Sequence, residues 1–99
     1  MRIRMIKKLK VDGTPCRKCL EVEQRLQDAG LLDRIDKIII ADERNPDSEG
    51  MQLARQYQVE SAPFFLVEDD AGTTTVYTTY YQFLKEVLNR GAARTDAVA

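Results

Sequence analysis

The stretch "TPCRKC", residues 14–19, holds both cysteines of a 99-residue chain, Cys16 and Cys19, with Arg17 and Lys18 between them. A pair at this spacing has three readings: half of a zinc site, a short crosslink, or two thiols that react. Structural zinc takes four cysteine or histidine ligands, and this chain has two cysteines and no histidine. Zinc would require a second subunit or carboxylate ligands, and metal or iron–sulfur binding through the cysteines alone a dimer sharing four thiolates. As a crosslink, so short a loop constrains little of the unfolded chain. The lack of histidine also removes Ser-His and Cys-His nucleophile pairs. The third reading gains from position. Val11 to Pro15 is a turn-rich loop, and the helical pattern begins at Cys16. The free N–H groups at a helix start and the cations Arg17 and Lys18 favour a thiolate there. Cys16 is then the exposed nucleophile, and Cys19, one turn on and facing the core, is the resolving thiol.

Working outward, residues 3–9 alternate enough to predict a strand. The early bases Arg2, Arg4, Lys7, Lys8 and Lys10 fall in or beside it and read as the charges of a solvated edge. In residues 16–29, Cys19, Val22, Leu26 and Ala29 recur at 3-4-3 spacing, the apolar face of a helix that Gly30 stops. "IDKIIIA", residues 35–41, is a β-branched run and reads as a buried strand. Asn45-Pro46 signals a turn into a helix at about 47–58, with Met51, Ala54 and Tyr57 buried. Residues 64–67 form the next strand. Asp69-Asp70-Ala71-Gly72 turns the chain, and 73–77 returns as an edge strand rich in threonine. Thr79 and Gln82 fit a capping box for a last helix burying Tyr80, Phe83, Leu84, Val87 and Leu88, which Gly91 ends. The order is β-α-β-α-β-β-α, with a parallel first pair and a hairpin that adds antiparallel strands.

Two motifs in this order, "TPCRKC" and "VESAPFFLVE" at residues 59–68, resemble the thioredoxin/glutaredoxin superfamily. The resemblance runs over roughly residues 3–90. It implies an α/β thioredoxin-like fold, a four-stranded mixed sheet flanked by three helices, in one domain at 1–90 with a loose tail at 91–99. It also implies that Pro63 is a cis-proline beside the cysteines. Ala62 then offers its backbone N–H and C=O to an extended substrate, and Thr14, Pro15, Ala62 and Pro63 frame the docking surface. The chain departs from thioredoxins in having Pro15 where tryptophan is usual and Arg17-Lys18 in place of Gly-Pro. Its size is nearer a glutaredoxin, but Tyr77-Thr78-Thr79-Tyr80 replaces the Gly-Gly and aspartate that hold glutathione in those proteins. No counterpart of the buried proton-relay aspartate of thioredoxins is evident, and Asp12 reads as a turn former.

Bulk properties agree with a soluble globular chain: 43% hydrophobic, 31% charged, net charge −1. That charge offers no field for nucleic acid or anionic lipid. No run approaches the length of a membrane span, and no signal peptide is evident, so the reducing cytoplasm is expected. The expected function is thiol–disulfide oxidoreduction on protein or low-molecular-weight disulfides. The expected protein is a monomer with no bound cofactor, and glutathione is one candidate reductant. The alternatives are a redox-inactive binding module on the same fold, and metal or iron–sulfur binding by a dimer through Cys16 and Cys19.

Overall fold

A computed structural model of the chain describes residues 1–88. The expected helix end at Gly91 and the tail at 91–99 lie outside the described residues. Strand β1 spans Arg2–Leu9, helix α1 Arg17–Asp28, strand β2 Lys37–Asp42, helix α2 Glu49–Gln56, strand β3 Phe64–Glu68 and strand β4 Thr74–Tyr77. Helix α3, Tyr80–Phe83, continues into a π-helical turn, Leu84–Leu88. The sheet order is β2-β1-β3-β4, with β1 and β2 parallel and the other two pairs antiparallel. The α/β class and the element order are as the sequence predicts. Among the described residues no helix is long and apolar enough to cross a membrane.

The alternation of β1 splits its apolar side chains between two layers. Ile3 and Met5 join Phe65 and Val67 of β3 under α1 and α3, where they meet Val22, Leu26, Phe83 and Val87. Phe65 and Phe83 stack there with ring centroids 3.9 Å apart. Ile6 faces the other way, with Ile39, Ala41, Phe64 and Leu66, against the half-buried Met51, Leu53 and Ala54.

Several local expectations need correction. β1 is an interior strand, so its bases do not line an edge. Lys7 is ion-paired with Glu23 of α1 at 2.8 Å, and Lys8 reaches Glu43 at 3.7 Å. The edge beside β1 is β2: Ile39 and Ala41 are buried, but Ile38 and Ile40 are 37% and 41% exposed. Among the described residues, the layer under α1 is built from β1 and β3 and takes no side chain from β2, which leaves those two isoleucines at its margin. Met51, Ala54 and Tyr57 are half-buried, and Ala29 is exposed at the end of α1. The punctuation holds well. Gly30 has φ +71°, and Leu31 N donates past it to Leu26 O at 2.8 Å. The Thr79 hydroxyl accepts from Gln82 N at 3.3 Å.

Gly50 sets how closely α2 approaches the sheet. A β-carbon there would overlap the backbone of Ile40 and Ala41. Nothing can give way except the helix, because the obstacle is main chain. Gly50→Ala is expected to lower stability by about 1–3 kcal/mol, which for a domain of this size is roughly 4–8 °C of Tm per kcal/mol. A thermal melt within about 1 °C of the unsubstituted protein would show that α2 is free to move outward.

Candidate functional site

The site lies where β1 ends and α1 begins. Lys10 N and Gly13 N close a turn onto Thr14 O and Lys10 O, each at 2.8 Å. Asp12 tightens it by accepting from Thr14 N at 2.9 Å and from the Thr14 hydroxyl at 2.6 Å. Those bonds, the hydroxyl's first, hold the exposed Asp12 carboxyl below the usual carboxylate range. Asp12 is thus the turn former that its position suggested. Pro15 pairs with Leu9 in an isolated bridge, and the chain arrives at Cys16 extended, with φ −64° and ψ 125°.

Cys16 caps α1. Its N–H donates to Lys8 O at 3.0 Å. Its sulfur accepts from Cys19 N at 3.2 Å, and its thiol donates to Ala62 O at 3.9 Å. Sulfur in place of the usual serine or aspartate oxygen puts a reactive atom where the helix presents a free N–H. Cys16 is half-buried. Cys19, one turn on, is 1% exposed. Its sulfur accepts from Lys8 N at 3.4 Å. Burial, and then its hydrogen bond with Cys16, pushes the Cys19 thiol up to about 12 against the pull of Lys8. Both cysteines are free thiols.

The Ala62–Pro63 peptide is cis, with Pro63 buried and Ala62 half-buried. This loop brings Ala62 O to the Cys16 thiol across 46 residues of sequence. Thr14 and Pro15 are exposed on the opposite side of the cysteines in sequence. Arg17 and Lys18 project outward: the Arg17 side chain is 94% exposed and lies 3.7 Å from Glu21, and Lys18 is exposed. Among the described residues no three histidine, cysteine, aspartate or glutamate side chains gather where a metal ion could sit.

Two features escaped the sequence reading. One is Lys8, whose backbone bonds to both cysteines and whose ammonium reaches Glu60 O at 3.5 Å as well as Glu43. The strand alternation carried a signal, since it sets Lys8 on the face opposite Lys7, toward α2. The other is a cleft of about 480 Å³ floored by Ile6, Ala41, Met51, Ala54 and Phe64, with Lys8, Glu43 and Ala62 at its wall. Its residues come from distant segments, so no local pattern marks it.

A search of solved structures finds a likeness to the solution structure of a thioredoxin from Thermus thermophilus. The TM-score is 0.50 and 26% of residues are identical, over 89% of this chain and 72% of that one. No protein-family model and no curated protein matches the chain. The likeness, the mixed four-stranded sheet and the close Cys16–Cys19 pair at the start of the first helix establish a thioredoxin-like fold with a sulfur arrangement compatible with a C-x-x-C motif.

Proposed function

We propose that the chain is a thiol–disulfide oxidoreductase acting on protein or low-molecular-weight disulfides. One observation carries this reading: a half-buried sulfur at a helix N-cap accepts the N–H of a buried cysteine one turn later. The Cys16 thiolate attacks one sulfur of the substrate disulfide. A Cys16–substrate disulfide forms, and the other substrate sulfur leaves as a thiolate that takes a proton. Cys19 then loses its proton to solvent and attacks Cys16. The Cys16–Cys19 bond forms and the second substrate sulfur departs. The substrate gains two electrons and two protons, and the dithiol is oxidised. An external thiol, of which glutathione is one candidate, returns it to the reduced form. Ala62, beside Cys16, is the backbone edge on which an extended substrate would align, with Thr14, Pro15 and Pro63 around it.

Insulin-disulfide reduction with dithiothreitol as the reductant tests the assignment. Turnover is expected to be lost in Cys16→Ser. Cys19→Ser is expected to accumulate a Cys16-linked mixed disulfide, visible by mass spectrometry. Turnover that survives Cys16→Ser would leave a binding module as the better account.

Cys19 should also resist alkylation. Only a thiolate alkylates quickly, and Cys19 is raised far above its ordinary value by burial. Iodoacetamide near neutral pH is expected to label Cys16 alone. Labelling of Cys19 should appear as pH rises toward about 12. Equal labelling of both at neutral pH would contradict the buried, protonated state of Cys19.

A further inference from the structure

The two apolar layers of the sheet are covered unequally. Helices α1 and α3 close the layer that holds Phe65. Among the described helices the other layer has α2 alone, and of its residues Glu49–Gln56 only Gly50 is buried. Met51 and Ala54 stay half-buried, and between them and Ile6, Ala41 and Phe64 lies the cleft of about 480 Å³. That volume is in the range of sites that take a small ligand or a few side chains. The cleft begins at the dithiol. Ala62 is part of its lining, and the Ala62 carbonyl accepts from the Cys16 thiol at 3.9 Å. An extended chain advances about 3.3 Å per residue, so a residue next to a cysteine bonded to Cys16 is within reach of the cleft. The rim holds two cations, and both are engaged. Lys8 lies 3.7 Å from Glu43 and donates to Glu60 O at 3.5 Å, and Arg55 donates to Pro46 O at 2.8 Å. Glu43 and Glu60 add negative charge to the same rim. Any charged group would also lose its water over an apolar floor. What the cleft offers an occupant is apolar surface.

We propose that this cleft is a specificity site for the polypeptide that Cys16 attacks, and that it takes a large uncharged apolar side chain, of leucine or phenylalanine type, on a residue beside the substrate's cysteine. The proposal rests on the dithiol reading above and deepens it: the preferred substrate is a protein disulfide with an apolar flank, not a small polar disulfide. Met51 suits the floor, because its unbranched side chain adapts to occupants of different shape. Gln58 shapes the mouth. Its φ of +57°, at a helix end where glycine is usual, turns the chain out of α2 toward Ala62. Val59 N donates back to Ala54 O at 2.9 Å, so the segment that leads to Ala62 leaves α2 from a fixed point beside the cleft.

Peptides whose single cysteine is carried as a mixed disulfide with thionitrobenzoate test this, on the Cys19→Ser protein, which keeps the product. The Cys16 thiolate attacks the peptide sulfur. The Cys16–peptide disulfide forms, and thionitrobenzoate departs with the electron pair of the broken bond. Two peptide series place leucine, serine, glutamate or lysine immediately before or immediately after the cysteine. In at least one series leucine is expected to react more than twofold faster than serine, roughly tenfold, with glutamate and lysine no faster than serine. Ala54→Leu, which narrows the cleft, and Met51→Gln, which makes its floor polar, are each expected to bring that ratio to within about twofold. The ratio is internal to each protein, so a general loss of reactivity does not mimic the effect, and circular dichroism shows which variants are folded. If neither folds, the methyl resonances of Met51 and Ala54 decide. They are expected to shift more with the leucine peptide linked to Cys16 than with the serine peptide, and equal shifts overturn the proposal. So do leucine and serine rates within about twofold in both series, glutamate or lysine outrunning leucine, or a leucine preference that either folded variant retains. The dithiol reading is judged separately. If Cys16→Ser does not abolish the release, that reading fails and this proposal falls with it. Release that depends on Cys16 but shows no leucine preference sinks the proposal alone.

Discussion

Two hydrogen bonds to one residue hold the cysteine-bearing end of this molecule together. Cys16 N donates to Lys8 O, and Lys8 N donates to the Cys19 sulfur. Through them the end of β1 fixes both the cap of α1 and the buried sulfur one turn later. A strand and a helix meeting at an arbitrary angle could not bring the two cysteines together at this cap. Here the strand's own unpaired N–H and C=O set the angle. The loop between them, tied by Asp12 to Thr14, needs only to turn the chain without competing for those groups.

The same strand supports the site from below. Ile6 pairs with Ile39 on one side and Phe64 on the other, so the ladder beneath Lys8 is anchored across three strands. Phe64 follows Pro63 directly, and the ladder therefore also sets where the Ala62 carbonyl lies. Position at the site thus comes from the sheet, the most buried part of the fold, while the groups that would meet a substrate sit on its loops. Stiffness below and access above is the usual division between scaffold and site.

How much of this was legible in the sequence depends on the range of the signal. Elements and caps are local, and residues such as Gly30, Gly72 and Thr79 marked their boundaries correctly. The cysteine spacing and the helix pattern through Val22 and Leu26 placed the pair, and the resemblance at Ala62-Pro63 supplied its neighbour. Strand order is not local. "KIIIA" looks like a central strand because three isoleucines in a row suit burial on both faces. Yet β2 lies at the edge, and Ile38 and Ile40 stay open because α1 and α3 cover β1 and β3 instead. The basic residues of β1 misled in the opposite sense, since Lys7 and Lys8 lie on an interior strand but extend to carboxylates at its end. Gly50 gave no sign at all, because its constraint is the backbone of a strand nine residues earlier.

On the dithiol reading, the opposed effects of the Cys16 sulfur and the Lys8 N–H at the Cys19 sulfur give the two thiols an order of action. While Cys16 is free, its sulfur beside Cys19 helps burial to hold the proton on Cys19, and on the dithiol reading Cys19 then does not compete for an incoming disulfide. Once Cys16 is bonded to a substrate sulfur it carries no charge, and its sulfur is a poorer partner for the Cys19 thiol. Two of the three effects that disfavour the Cys19 thiolate then weaken together, while the Lys8 N–H remains. Burial stays as the remaining cost, and it also keeps outside thiols and oxidants from Cys19. On the dithiol reading, formation of the mixed disulfide is itself the event that readies the second sulfur to attack. A carboxylate beneath Cys19 could serve as a base for the proton, but its charge would oppose the thiolate left behind.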